Sequence, residues 1–358
     1  MSAPEPRPIA STLDLRHDLF SQRVSPLRPA GEPATVRLQL RLLRRILVAA
    51  ARGRQLILYS SRGSLKPDLI ACALLGLMPR RHRPPTVLVG EMWQPGIGPQ
   101  AVVERLVVRL ADRAVDRYLV PSQAEAEVFP LCWPVDAAKV RAVLFYFDPA
   151  EHGLGPDDPV APLGDHVMAG GDSFRDYGPL IEAARCRPDV PFLLITKVVE
   201  PDGLPPNVSV KAAKYTDYVT LLRGAGVVAV PVRTGLKRSA GILTFLMAMH
   251  LGRPTVVTRA LAVDEYVEDG QSGLIVDGTV EDWLRAIDGL RADPDRAVRL
   301  AAVGRAAVRE RFTFDDYVRG LLVELDAVVA ERYPHSPKCA TDDPCPDHWR
   351  RRLHQQPP

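Results

Sequence analysis

The chain has 358 residues and a mass of 39.4 kDa, more than one hydrophobic core ordinarily serves, so two domains are expected. Hydrophobic residues make up 46% and charged residues 25%, a globular composition that excludes disordered and collagen-like chains. With 46 basic against 43 acidic residues the net charge is +3, too balanced to imply nucleic acid, and no run of about 18 apolar residues offers a membrane span.

Met1–Pro8 is polar and Pro-rich with no apolar core, so no secretory signal is expected. An odd, scattered set of five cysteines points to a reducing, cytoplasmic compartment. Cys72, Cys132 and Cys186 read as small core hydrophobes. In the tail, His335, Cys339, Cys345 and His348 fit no standard finger spacing and stand among prolines, so no metal site is expected.

Residues 1–34, rich in Pro, Ser and Arg, read as a loose, flexible segment. From Val36 to Ala51 the residues Leu38, Leu42, Ile46 and Ala49 recur at helical spacing beside Arg37, Arg41, Arg44 and Arg45, a basic amphipathic helix. Alternation follows. Leu56–Tyr59, Thr86–Val89, Tyr118–Val120 and Ala142–Phe145 read as buried strands. Between them Pro67–Leu77 and Pro99–Val115 read as helices, the second with Val103, Leu106, Val107 and Leu110 on one face. Gly, Pro and Asp crowd residues 148–166, which predicts a linker. The alternation then restarts. Strands are expected at 166–169, 192–196, 227–230, 255–257 and 274–276, and helices at Asp176–Arg185 and Ile242–Leu251. Thr279, Asp293 and Thr313 read as the starts of three further helices, the last running to about Val329. The whole is an α/β chain of two doubly wound parallel sheets facing a cleft. Its expected divisions are 1–34, 35–150, a linker at 151–165, 166–332, and a disordered tail at 333–358.

Two loops of the second half suit an anion. Ala169–Arg175 follows a strand and precedes a helix; its paired Gly170 and Gly171 let backbone approach a ligand, Ser173 adds a hydroxyl, and Arg175 supplies a fixed positive fork. Lys237-Arg238-Ser239-Ala240-Gly241 lies directly before the apolar helix, whose first N–H groups are unpaired and carry partial positive charge. Together they suit a diphosphate. The plainer reading is a tight turn and a solvated charge.

The residues Gly170–Tyr177 with Leu180–Ala184, Ser239-Ala240-Gly241 with Ala248–Pro254, Glu265–Val276 and Gly304–Phe314 resemble the family 4 glycosyltransferases, which are retaining enzymes of the GT-B fold. The likeness runs over about residues 165–330 and is fainter over 55–148, at Val120-Pro121-Ser122 and Phe147-Asp148. It implies a GT-B pair of Rossmann-like domains and a metal-independent transfer of sugar from a nucleotide-sugar donor to a glycan or lipid-linked acceptor. By this resemblance Gly170, Gly171, Ser173, Arg175, Lys237, Ser239, Ala240 and Gly241 surround the donor phosphates. Lys214 and Tyr215 precede the helix that borders the base pocket, and Glu265 lies near the cleft. No cofactor beyond the donor is implied.

The departures are as informative. The family's two glutamates, eight residues apart, are Ser239 and Met247 here, and a methionine cannot accept a hydrogen bond from ribose as a carboxylate does. On the acceptor side Ser60, Ser61, Arg62 and Gly63 follow one strand, and Glu91, Met92 and Trp93 another. Glu91 is the candidate base, with an exposed loop carboxylate as the plainer reading. The basic clusters at Arg41–Arg54 and Arg80–Arg83 read first as a solvated helix face; peripheral docking on an anionic membrane at its inner face is the alternative, which a lipid-linked acceptor would favour. The alternative function is a non-catalytic sugar-nucleotide or glycan-binding relative. A GT-B epimerase would need paired cleft carboxylates, and Asp264-Glu265 is the one pair on offer.

Overall fold

The computed structural model describes residues 9–27, 35–59, 66–90 and 98–334. Two six-stranded sheets, parallel at every pairing, make its two halves. The first half runs β1 (Ile9–Ser11), α1 (Asp18–Arg23), β2 (Val24–Pro26), α2 (Val36–Ala51), β3 (Gln55–Tyr59), α3 (Pro67–Gly76), β4 (Thr86–Val89), α4 (Pro99–Asp112), β5 (Arg117–Val120), α5 (Gln123–Cys132) and β6 (Val140–Ala142). Its sheet order is β2-β1-β3-β4-β5-β6. The second half runs β7 (Val167–Gly170), α6 (Gly178–Arg185), β8 (Phe192–Ile195), β9 (Val208–Lys211), α7 (Tyr215–Arg223), β10 (Val227–Val230), α8 (Ile242–His250), β11 (Thr255–Thr258), α9 (Val263–Tyr266), β12 (Leu274–Val276), α10 (Val280–Ala292), α11 (Pro294–Arg311) and α12 (Phe314–Arg332). Its order is β12-β11-β10-β7-β8-β9.

Helices cover both faces of each sheet, so the inner strands are continuous apolar runs; β4, β7, β10 and β11 are buried at every residue. The helix starts read from sequence carry their caps. Thr279 accepts from the Asp282 amide, Asp293 from Arg296 and Thr313 from Asp316.

Four expectations change. The segment 1–34 was expected to be loose, but β1 and β2 within it are strands of the first sheet, β1 pairing with β3 from Ile9↔Gln55 to Ser11↔Ile57. Three-residue strands carry too little local pattern to be seen; the pairing is long-range. The strand expected at 142–145 is β6, ending at Ala142, because Val143 onward turns toward the second half. On α4 the inward side is Val108 and Ala111, leaving Val103 and Leu106 exposed. Of the cysteines, Cys72 is buried and Cys186 is exposed.

The linker lies against the second half. Arg253, fully buried, donates to the carbonyls of Ala161 (2.5 Å), Pro162 (3.0 Å) and Ala225 (3.1 Å). The chain then crosses back, since α12 packs on the first sheet. Val318, Leu321 and Leu325 join the core around Ile57, Val87 and Leu119. Arg332 clasps Asp116 at 2.6 Å, and Arg23 pairs with Asp326. The division at 166–332 therefore places in one half a helix that serves the other. The tail cluster of His335, Cys339, Cys345 and His348 lies outside the described residues. Among the described helices none is long and apolar enough to cross a membrane.

Candidate functional site

In the second sheet β7 lies between β8 and β10, so the chain winds one way from β7 and the other way from β10. Ligands of open α/β sheets enter the crevice at such a switch, at the carboxyl ends of the strands. The loop after β7 is Gly171–Tyr177, and the loop after β10 runs through Ser239 to Gly241, so topology alone sets the two sequence-predicted turns side by side.

Arg175 fills the space between them. It is 9% exposed. Its Nε donates to the Gly170 carbonyl (3.2 Å), Nη1 to the Ser173 carbonyl (2.9 Å) and Nη2 to Thr244 Oγ1 (3.0 Å) on the first turn of α8. All three acceptors are uncharged. Burial pushes its pKa down, with Tyr177, Tyr218 and Asp172 pulling the other way, yet a guanidinium keeps its proton at neutral pH. The result is a held positive charge whose hydrogen bonds fix its direction.

The glycines are there to make room for it. A Cβ on Gly171 (φ +109°) would stand 2.9 Å from Arg175 Nη2. On Gly170 it would stand 2.5 Å from the Tyr218 ring. Gly241 caps α8 at φ +82°. With no side-chain cap there, the first amides of α8 remain without intrahelical acceptors, and the helix dipole adds positive potential beside Arg175. Phe174 adopts φ +55°, unusual for a residue with a side chain, and the Arg238 guanidinium lies 5.1 Å above its ring.

The surrounding polar groups are ordered. The Gly171 carbonyl accepts from Tyr177 Oη (2.7 Å) and Thr196 Oγ1 (3.2 Å), while its amide bonds to the Ile195 carbonyl. Asp172 accepts from the Lys197 amide and the Thr196 hydroxyl, which hold its carboxyl below the usual range. Ser173 and Lys237 are exposed beside the turns. Lys214 caps α7, and Tyr215 is 48% exposed, contacting the His152 ring and stacking on Tyr218 at 6.4 Å.

Ser239 and Glu265 are bonded to residues of the first half. Ser239 is 4% exposed, its hydroxyl 3.2 Å from that of Ser122 and its amide donated to Glu125. Glu265 accepts from the amides of Gln123 and Ala124 at the start of α5. Both sit in the seam between the halves, with Ala240 buried behind them. Burial raises the Glu265 carboxyl above its ordinary value against those two amide bonds. Met247 is buried in the core cluster of the second half. Ser60–Gly63, Glu91, Met92 and Trp93 lie outside the described residues.

Sequence reasoning missed Thr244, Tyr218 and Glu125. Thr244 had a signal, as a hydroxyl in the first turn of an otherwise apolar helix. Tyr218 had one in its spacing of three from Tyr215, which puts both on one helix face. Glu125 had none pointing to Ser239.

The family described as Glycosyl transferases group 1 matches residues 180–293. A GDP-mannose-dependent alpha-(1-6)-phosphatidylinositol monomannoside mannosyltransferase of Mycolicibacterium smegmatis is 39% identical over 88 residues, 23% of this chain and 22% of that protein. A D-inositol 3-phosphate glycosyltransferase of Rhodococcus jostii is 31% identical over 121 residues, 33% of this chain and 26% of that protein. The matched segments thus span about a quarter of these relatives. Anabaena HepE, solved in complex with UDP-glucose, superposes with a TM-score of 0.60 at 19% identity, covering 89% of this chain and 91% of HepE. Sucrose-phosphate synthase from Thermosynechococcus elongatus superposes with a TM-score of 0.61 at 16% identity, covering 88% of this chain and 86% of that one. Residues 180–293 thus resemble the Glycosyl transferases group 1 family, and the two-sheet architecture is a GT-B fold of two Rossmann-like halves.

Proposed function

We propose that this chain transfers a sugar from a nucleotide-sugar donor to a glycan or lipid-linked acceptor, with retention of anomeric configuration. The observation that carries the reading is Arg175, buried between two glycine turns and bonded to neutral partners, beside the uncapped start of α8. As the sugar–phosphate bond breaks, the diphosphate gains negative charge. A preorganised guanidinium and helix N-terminus stabilise that charge more than they stabilise the intact donor. The acceptor oxygen bonds to the anomeric carbon on the face the diphosphate leaves, and its proton passes to a departing phosphate oxygen. Retention rests on the family resemblance. Arg175 and α8 supply the positive charge themselves, so turnover is expected to survive chelation.

Tyr215 and Tyr218 present aromatic surface for the base. Glu91 is the alternative to that phosphate oxygen as the proton acceptor, on the acceptor side, and Trp93 a proposed sugar-stacking residue. The relatives named for phosphatidylinositol and inositol phosphate acceptors support a lipid-linked acceptor.

The test is a thermal-shift screen of UDP-, GDP-, dTDP- and ADP-sugars followed by turnover with the one that binds. A donor at a hundred times its Kd raises apparent stability by about 2.7 kcal/mol. Arg175→Ala should abolish that shift and lower turnover about a hundred- to a thousandfold. Binding without turnover on any acceptor would favour the second reading, a sugar-nucleotide-binding protein, for which buried Met247 speaks because it offers ribose no carboxylate.

For the acceptor we propose peripheral docking on anionic lipid through the first half. There α2 exposes Val36 and Leu40 beside Arg37, Arg41, Arg44 and Arg45, and α4 exposes Val102, Val103 and Leu106. Basic residues near such a surface contribute about 1 kcal/mol each. Vesicles containing phosphatidylserine should sediment the protein at low salt and release it at high salt; no sedimentation at low salt overturns the docking.

A further inference from the structure

The seam between the halves is held by an exchange of carboxylates on one turn. At the start of α5 Ser122 caps its own helix, its Oγ accepting from the Glu125 amide at 3.0 Å. The next two amides, of Gln123 and Ala124, are capped by the other half, since Glu265 accepts both at 2.8 Å. The favour is returned within the same turn. Glu125, 1% exposed, reaches out of the first half and accepts the Ser239 amide at 2.7 Å. Tyr266, next to Glu265, donates to the Pro121 carbonyl and accepts from the Phe145 amide at 2.7 Å. Residues 121–125 thus touch the loop before α8 and the helix α9 at once.

Two features set this seam apart from ordinary packing. Ser239 lies two residues before Gly241, so Glu125 grips the loop that shapes one wall of the Arg175 site. The carboxylates bond to backbone amides, which gives them geometry at the cost of their hydration. When the halves part, each carboxylate regains water and each amide does too. The seam's polar bonds are thus ones that water can replace on both sides.

We propose that Ser122–Glu125 is a closure latch, in which Glu125 is a positioning residue that sets the 237–241 loop only when Glu265 has docked on α5. Its effect on the donor rests on the function proposed above; the latch itself does not. The coupling predicts that breaking either bond loosens both.

The test uses the full chain with Glu125→Ala, Glu125→Gln, Glu265→Ala and Glu265→Gln, read by amide hydrogen exchange and by donor kinetics. Either alanine variant should speed exchange at least tenfold in both peptides, 122–127 and 237–245. Glutamine keeps an acceptor oxygen, so Glu125→Gln should stay within threefold of the parent. With a donor that turns over, Glu125→Ala should raise donor KM about tenfold while kcat changes less than threefold, a split that a loss of folded protein would not give. Faster exchange confined to the peptide that lost its partner would overturn the latch, leaving two independent caps. Coupled exchange without turnover on any donor would keep the latch and sink the transferase reading; turnover with uncoupled exchange would do the reverse. If an alanine variant does not fold, Glu265→Gln, which keeps one acceptor oxygen for the two amide donors of Gln123 and Ala124, carries the same comparison.

Discussion

Each sheet has one place where its winding reverses, β1 beside β3 in the first and β7 beside β10 in the second. Their described residues differ in chemistry. At the first, Thr12 Oγ1 accepts the Tyr59 amide at 2.8 Å, a neutral bond that stitches neighbouring strand ends. At the second, glycines at φ +109° and +82° flank a buried guanidinium. The fold supplies a crevice twice, and the side chains decide which crevice holds an anion. On the proposed function, that division assigns the donor to the second half and the acceptor to the first.

Arg175→Ala breaks the comparison most severely, and Thr12→Val is its control. Removing Thr12 Oγ1 costs one neutral hydrogen bond, about 1 kcal/mol of stability, and should change turnover by less than threefold. Losses of similar size for the two variants would show that the reversal points matter as scaffolding alone, with no privileged anion site.

The next effect is on stability and is confined to the second half. His250 ends α8, 3% exposed, with its ring 4.9 Å from that of Phe147. Burial, and then Arg305 and Arg309, push its pKa down to about 4 from 6.5. The charged form is therefore disfavoured in the folded state and ordinary in the unfolded one. The sign follows: stability is full above pH 6.5, falls as the pH drops from 6.5 toward 4, and levels off below. The fall amounts to roughly 3 kcal/mol. Urea midpoints between pH 7 and 4 should show this slope, and His250→Gln should flatten it. An unchanged slope in that variant would assign the pH dependence to carboxylates elsewhere.

The second half was more legible in the sequence than the first, for a physical reason. Its signals are local. Thr279, Asp293 and Thr313 cap helices that begin at the next residue, and the glycine turns adjoin the end of β7 and the start of α8. Arg175 was legible as a charge, and two of its acceptors, the Gly170 and Ser173 carbonyls, are local, but the third, Thr244, depends on β10 lying beside β7. In the first half, β1 and β2 are three residues long; β1 exists through pairing with β3, and β2 through pairing with β1. Glu125 was the least legible. Ser122-x-x-Glu125 reads as a capping box closed on itself, and Ser122 does accept the Glu125 amide, but the carboxylate bonds to Ser239, 114 positions away. Likewise the four exposed arginines on α2 announce a helix without saying what faces it.

The smallest predicted effect separates backbone strain from crowding at the anion site. Gly241 and Gly235 share the left-handed conformation, φ +82° and +72°. An alanine at either pays the same conformational penalty, about 1 kcal/mol. Around Gly235 nothing lies within 4 Å of a new Cβ, whereas at Gly241 it would meet Val232 Cγ2 at 2.9 Å and Val230 Cγ1 at 3.3 Å, with Arg175 Nη1 at 3.6 Å. Val230 closes β10 and Val232 bridges Arg175, so neither can yield without moving the strand end that frames the site. Gly241→Ala should therefore lower the melting temperature by a few degrees more than Gly235→Ala and weaken donor binding severalfold, while Gly235→Ala leaves binding unchanged. Equal melting temperatures and equal donor affinities for the two variants would mean that α8 shifts freely to admit a methyl group, and the second crevice would lose the rigidity that distinguishes it from the first.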